Sequence, residues 1–130
     1  MQKILRALLA AAGFTLVFSF NAAFAADELE QLPLSAHISS QYQCDLGDQI
    51  TVYRNAVDDS YVKLRWQAKT YHMTRQMTTT GAERFECKNE GLVLISIPDK
   101  SMLFDSKKGR QLANECRNHE QRSRYLSSQR

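Results

Sequence analysis

Short runs of alternating side chains, each closed off by turn residues, constrain this chain more than any other feature. In "SYVKLRW" (residues 60–66), Val62, Leu64 and Trp66 fall on one face, while Tyr61, Lys63 and Arg65 fall on the other. In "QITVYRN", Ile50 and Val52 share a face. In "TYHMTRQM", Tyr71, Met73 and Met77 line up, with Arg75 interrupting the row. A period of two belongs to strands with one face in a core and one in water. "GLVLISIP" is apolar throughout and stops at Pro98, and "KSMLFDS" follows at once. Turn signals separate the runs: "DLGD", "NAVDDS", "QAK", "TTTGA", "KNEG", "PDK" and "SKKG". Strands this short and this evenly spaced predict an all-β fold, a small antiparallel barrel or sandwich of hairpin-connected strands.

The two ends of the chain read differently. Lys3 and Arg6 precede the apolar run "ALLAAAGFTLVFSF", and "AFA" at Ala23–Ala25 has the small-x-small form of a cleavage site. Residues 1–25 therefore read as a secretory signal peptide, too short for a comfortable membrane span. With Cys44 the first cysteine, a lipid anchor near the cleavage site is not expected, and neither is a stable membrane anchor. Residues 26–40 read as an arm, 41–116 as the domain and 117–130 as a basic tail, frayed or disordered. A helix over 110–126 is the other option, but Leu112, Cys116 and Leu126 make a sparse stripe.

Cleavage after Ala25 would leave 105 residues, enough for one domain that gains from a staple. Residues 26–116 carry 11 bases and 13 acids, and the tail holds four arginines and one glutamate. A weakly acidic body lacks the basic stripe of a nucleic-acid binder but tolerates a cationic protein partner. An exported chain with Cys44, Cys87 and Cys116 can form one disulfide, and any two can pair as far as spacing goes. No CxxC pair, nucleophile elbow, zinc-helix motif, phosphate loop or dinucleotide fingerprint is present. His37, His72 and His119 are scattered and read as surface residues. An enzyme, a cofactor and a metal are not expected.

The order of these elements is similar to the MliC/PliC family, periplasmic or membrane-bound inhibitors of C-type lysozyme. "YQC" opens the first strand, "ITVYRN" the second, "TGAERF" ends a hairpin loop, "GLVLISIPDKSML" gives the next strand pair, and Cys116 closes the domain. The resemblance covers roughly Tyr42 to Cys116. It implies a small antiparallel β-barrel, a Cys44–Cys116 bridge with Cys87 unpaired, and a C-type lysozyme as partner.

The family's first inhibitory motif has the form SGxxY, on a loop whose serine enters the lysozyme cleft. Thr80-Gly81-Ala82-Glu83-Arg84 matches it, with Thr80 keeping the hydroxyl, Gly81 keeping the freedom to take positive φ, and Phe85 standing one place late. The second motif is a Lys-Gly pair followed by Ala-x-Leu. One register places Ile97 and Pro98 at the pair and Ser101 and Leu103 at the Ala and Leu, with Lys100 three residues away to supply charge. The other uses Lys108-Gly109, puts Ala113 one place late, and leaves little chain for a strand before Cys116. The first register is preferred. The resemblance thus implies contacts from Thr80, Gly81 and Lys100, with Lys108 in reserve. The rival reading is a cell-envelope binding or adhesion module on the same barrel.

Overall fold

The computed structural model describes residues 37–130. The span read as a signal peptide and residues 26–36 of the span read as an arm lie outside the described residues. The order is β1 (His37–Gln43), β2 (Gln49–Asn55), β3 (Tyr61–Trp66), β4 (Lys69–Gln76), β5 (Glu83–Cys87), β6 (Leu92–Ser96), β7 (Ser101–Asp105), β8 (Arg110–Cys116) and α1 (His119–Ser128). Every strand pairs antiparallel with its sequence neighbour, in one eight-stranded meander. The all-β reading holds.

Alternation decides which side chains face inward. Ile50 and Val52 of β2, Val62, Leu64 and Trp66 of β3, Met73 of β4, Phe85 of β5, Leu92 and Leu94 of β6 and Leu103 of β7 form one buried cluster with Tyr42, Ala113 and Cys116. Phe85, Leu64, Met73, Leu94 and Leu103 are completely inaccessible. Each such side chain stabilises the fold by about 1.5–3 kcal/mol relative to exposure. Met77 was expected to continue the β4 row. Instead β4 stops at Gln76, and Met77 is 94% exposed.

The curled sheet is fastened at its seam. Gln43 and Arg117 exchange two backbone hydrogen bonds of 3.0 and 2.9 Å. The adjoining Cys44 and Cys116 form a disulfide that closes a separation of 72 residues, and Cys87 stays free. Closing a loop of that size removes about 4 kcal/mol of denatured-chain entropy. The staple sits where the first and last strands must meet, so it also holds the barrel shut.

Other features depart from the sequence reading. β1 begins at His37, inside the span read as the arm. His37 is buried rather than a surface residue, its Nε2 lying 3.1 Å from the Tyr61 hydroxyl, while His72 stacks on Tyr61. The tail after Cys116 folds as α1. Asn118 accepts a hydrogen bond from the Gln121 amide, and the Gln121 side chain accepts one from the Asn118 amide. This reciprocal cap satisfies two of the first-turn donors. It stands in for the apolar stripe whose sparseness had argued against a helix.

Candidate functional site

A meander places alternate connections at opposite ends. The connections 56–60, 77–82 and 97–100 share one end with Thr80 and Gly81; the connections 67–68, 88–91 and 106–109 share the other, while the curl of the sheet brings 44–48 to the seam beside Cys116. Lys100 lies at the end of Thr80, at the foot of the 97–100 turn. Lys108 lies at the far end, 4.0 Å from Asp105, so the structure does not bring it to Thr80. A seven-residue strand, β8, does fit between Gly109 and Cys116, contrary to the sequence expectation. It is the opposite-end position, not a shortage of chain, that separates Lys108 from the first motif.

Thr80 is exposed at the tip of its loop. Gly81 follows at φ +76°, with no atom within 4 Å of where a Cβ would stand. A positive φ is strained for other residues, so glycine is required here by the backbone rather than by crowding. Thr78 Oγ1 donates to the Ala82 carbonyl at 2.5 Å, tying the base of the loop.

Beneath the loop lies a charged platform that sequence reasoning missed. Glu83 accepts from Arg54 Nη2 at 2.7 Å and from Arg75 Nη2 at 3.0 Å. Both guanidinium groups lie over the buried Phe85 ring, 5.4 and 4.9 Å from its centroid. Cation–π contact and the ion pairs act together, because the ring attracts the same cations that hold the carboxylate. Burial pushes the Glu83 carboxyl up, but the charges and hydrogen bonds of Arg54 and Arg75 outweigh it, and the net direction is down. Arg75 also reaches the 56–60 connection. Its Nε donates to the Asp59 carbonyl at 2.7 Å, and its amide donates to the Ser60 carbonyl at 2.7 Å. The sequence signal for this platform was Arg75 itself, a charged residue in the inward-facing row of Met73.

The 97–100 turn is gripped from the C-terminal side. Gln121 of α1, buried, donates to the Ile97 and Pro98 carbonyls at 3.3 and 3.2 Å. Arg124 donates to the Pro98 carbonyl at 2.9 Å. Lys100 turns back and pairs with Glu115, whose second oxygen is held by Arg117 at 2.5 Å. Glu115 sits in a β-bulge of β8 at φ +52°, where Met102 of β7 alone stands opposite Asn114 and Glu115. The hydrogen bond from Lys100, followed by that from Arg117, draws its pKa down. Gly81, Glu83 and Arg54 share one shallow depression with Ile97, Pro98 and Gln121. Both loops and the helix therefore border a single face.

The family comparison can be set on this geometry. The model of the family described as membrane-bound lysozyme-inhibitor of c-type lysozyme, MliC, matches residues 42–101. Residues 42–101 are therefore similar to this inhibitor family. The match takes in the Thr80–Gly81 loop, the Arg54–Glu83–Arg75 platform and the 97–100 turn. It ends at the first residue of β7, so most of β7, all of β8 and α1 lie beyond it. No curated protein matches the chain, and no solved structure does. Among the described residues, no group of three His, Cys, Asp or Glu side chains is placed to hold a metal ion. No described helix is long and apolar enough to cross a membrane.

Proposed function

We propose that this protein is a periplasmic or secreted inhibitor of C-type lysozyme that occludes the active-site cleft with its loop end, acting as a binding protein rather than an enzyme. The observation that carries the reading is the exposed Thr80 at the tip of a tied loop, inside the span matched by a family of c-type lysozyme inhibitors. Lysozyme, a worked example among retaining glycosidases, cleaves sugar between two carboxyl groups facing each other across a cleft. A hydroxyl placed there donates to a carboxylate and stands where substrate must lie.

Rigidity supports this use. A loop that is already ordered loses little conformational freedom on binding. The Thr78–Ala82 bond, the positive-φ Gly81 and the platform under Glu83 order this one before any partner arrives. Lys100 is at the correct end, but it must leave Glu115 to reach a partner.

The test is inhibition of a C-type lysozyme acting on bacterial cell walls by purified residues 26–130. Dose-dependent inhibition is expected. Full lysozyme activity at micromolar concentrations of the protein would leave an envelope binding module as the better reading. Export is tested alongside by cell fractionation with N-terminal sequencing, with a soluble periplasmic chain beginning at Ala26 expected.

A further inference from the structure

The cations near the loop end are not equivalent. Arg54 and Arg75 are both engaged by Glu83 above the Phe85 ring. Lys100 is engaged by Glu115, and both of those side chains are only about a quarter exposed. Removing any of the three takes one of two cations from a partly buried carboxylate.

Arg124 differs. It stands on α1 beyond the family match, yet its guanidinium is fixed at the tip of the 97–100 turn by the Pro98 carbonyl. Its only ion pair among the described residues is with Glu120, one helical turn earlier at 2.6 Å. That pair is exposed, with the two side chains 54% and 77% accessible. Exposed pairs four residues apart on a helix are among the weakest ion pairs. A guanidinium presents five donors in a planar fork, so Arg124 can keep Pro98 and still offer two donors to an incoming carboxylate. Gln121, one turn earlier, fastens the same helix to the same turn and lines the depression that Gly81 borders.

We propose that Arg124 is a partner-contacting cation, held at the loop tip by Pro98 to meet a carboxylate of the lysozyme cleft, with α1 as part of the binding face. This rests on the reading of the loop end as lysozyme-facing. The partner's chemistry suits it: the cleft carries a carboxylate pair, and the task falls to the cation that can be redirected without disturbing a half-buried contact.

The experiment measures affinity for a C-type lysozyme by calorimetric titration, using wild type, Arg124→Ala, Arg124→Lys, Lys100→Ala and Thr80→Val. Thermal unfolding of each variant confirms that the barrel is intact. Arg124→Ala is expected to weaken binding roughly ten- to 100-fold, the usual range for a lost charge-assisted hydrogen bond. Its deficit should shrink in high salt. Arg124→Lys should fall between wild type and alanine, since it keeps charge and loses the fork. Lys100→Ala should lower the melting temperature and change affinity less than threefold. An Arg124→Ala variant that binds as well as or better than wild type, while Thr80→Val binds worse, overturns this inference and leaves the proposed function standing. Wild type that does not bind lysozyme overturns both.

Discussion

Arg75 lies directly across the β4–β5 ladder from Phe85, with its guanidinium 4.9 Å from the centre of the buried ring. A charged residue therefore stands in an inward-facing row without breaking it. The ring covers one face of the cation, Glu83 takes its edge, and the Asp59 carbonyl accepts from its Nε. Through this one side chain the 56–60 and 77–82 connections are held together.

The platform makes stability depend on pH. The Glu83 carboxyl is held below its ordinary value of 4.5, while in the unfolded chain it returns to that value. The fold thus favours the ionised form. Its contribution is complete above about pH 4.5 and is lost as the pH falls through the lower, folded value. Glu83→Gln is expected to destabilise the protein at pH 7 by about 1 kcal/mol, a modest figure because the pair is a third exposed and screened by solvent. The deficit should narrow as the pH falls below 4.5 toward the lower, folded value, where the wild-type carboxyl itself takes up a proton. Thermal unfolding of both proteins at pH 7, 5 and 3 checks this; a constant deficit at all three would show that the charge is not the cause.

The staple should matter more. Replacing Cys44 and Cys116 together by serine is expected to cost about 4 kcal/mol, from the loop that the bond closes. Denaturant unfolding with and without reductant measures it. Peptide mapping without reduction should recover Cys44 linked to Cys116 and Cys87 as a free thiol; a link from Cys87 to either of the others would contradict the seam described above.

At the loop tip, hydroxyl and backbone are separable. Thr80→Ser keeps the donor and is expected to keep lysozyme binding. Thr80→Val keeps the shape, sets a methyl group against a carboxylate, and is expected to weaken binding roughly five- to 150-fold. Gly81→Ala meets no atom but must hold a positive φ, a strain of about 1 kcal/mol or more that shifts the loop rather than the core. Affinity for Thr80→Val equal to that of wild type would reduce the loop to an ordinary polar turn.

The helix depends on its cap. Asn118→Ala removes the bond to the Gln121 amide and is expected to cost about 1 kcal/mol, felt mainly by α1. Hydrogen exchange should show faster exchange in the amides of residues 121–124, with β2, β3 and β4 unchanged. Unaltered exchange in α1 would mean that Gln121 and Arg124, through Pro98, hold the helix without the cap.

Some of this was legible in the residues and some was not. Alternation in "SYVKLRW" and "QITVYRN" fixes which side chains of β2 and β3 are buried, because a strand offers only two faces. Met77 defeated the same rule, since period alone does not say where a strand stops. The helix was signalled only by Asn118 and Gln121 at capping spacing, a local pattern easily passed over when no apolar stripe accompanies it.

By itself, then, the sequence determined the all-β class, the inward-facing residues of the strands and the glycine at the Thr80 loop. These depend on near neighbours and on a period of two. Only the tertiary structure decided that Lys100 is taken up by Glu115, that Lys108 stands at the far end, and that Arg124 lies against Pro98. Those relations join residues as many as 26 positions apart. They follow from how the sheet curls and which end each turn reaches, and no local pattern encodes either.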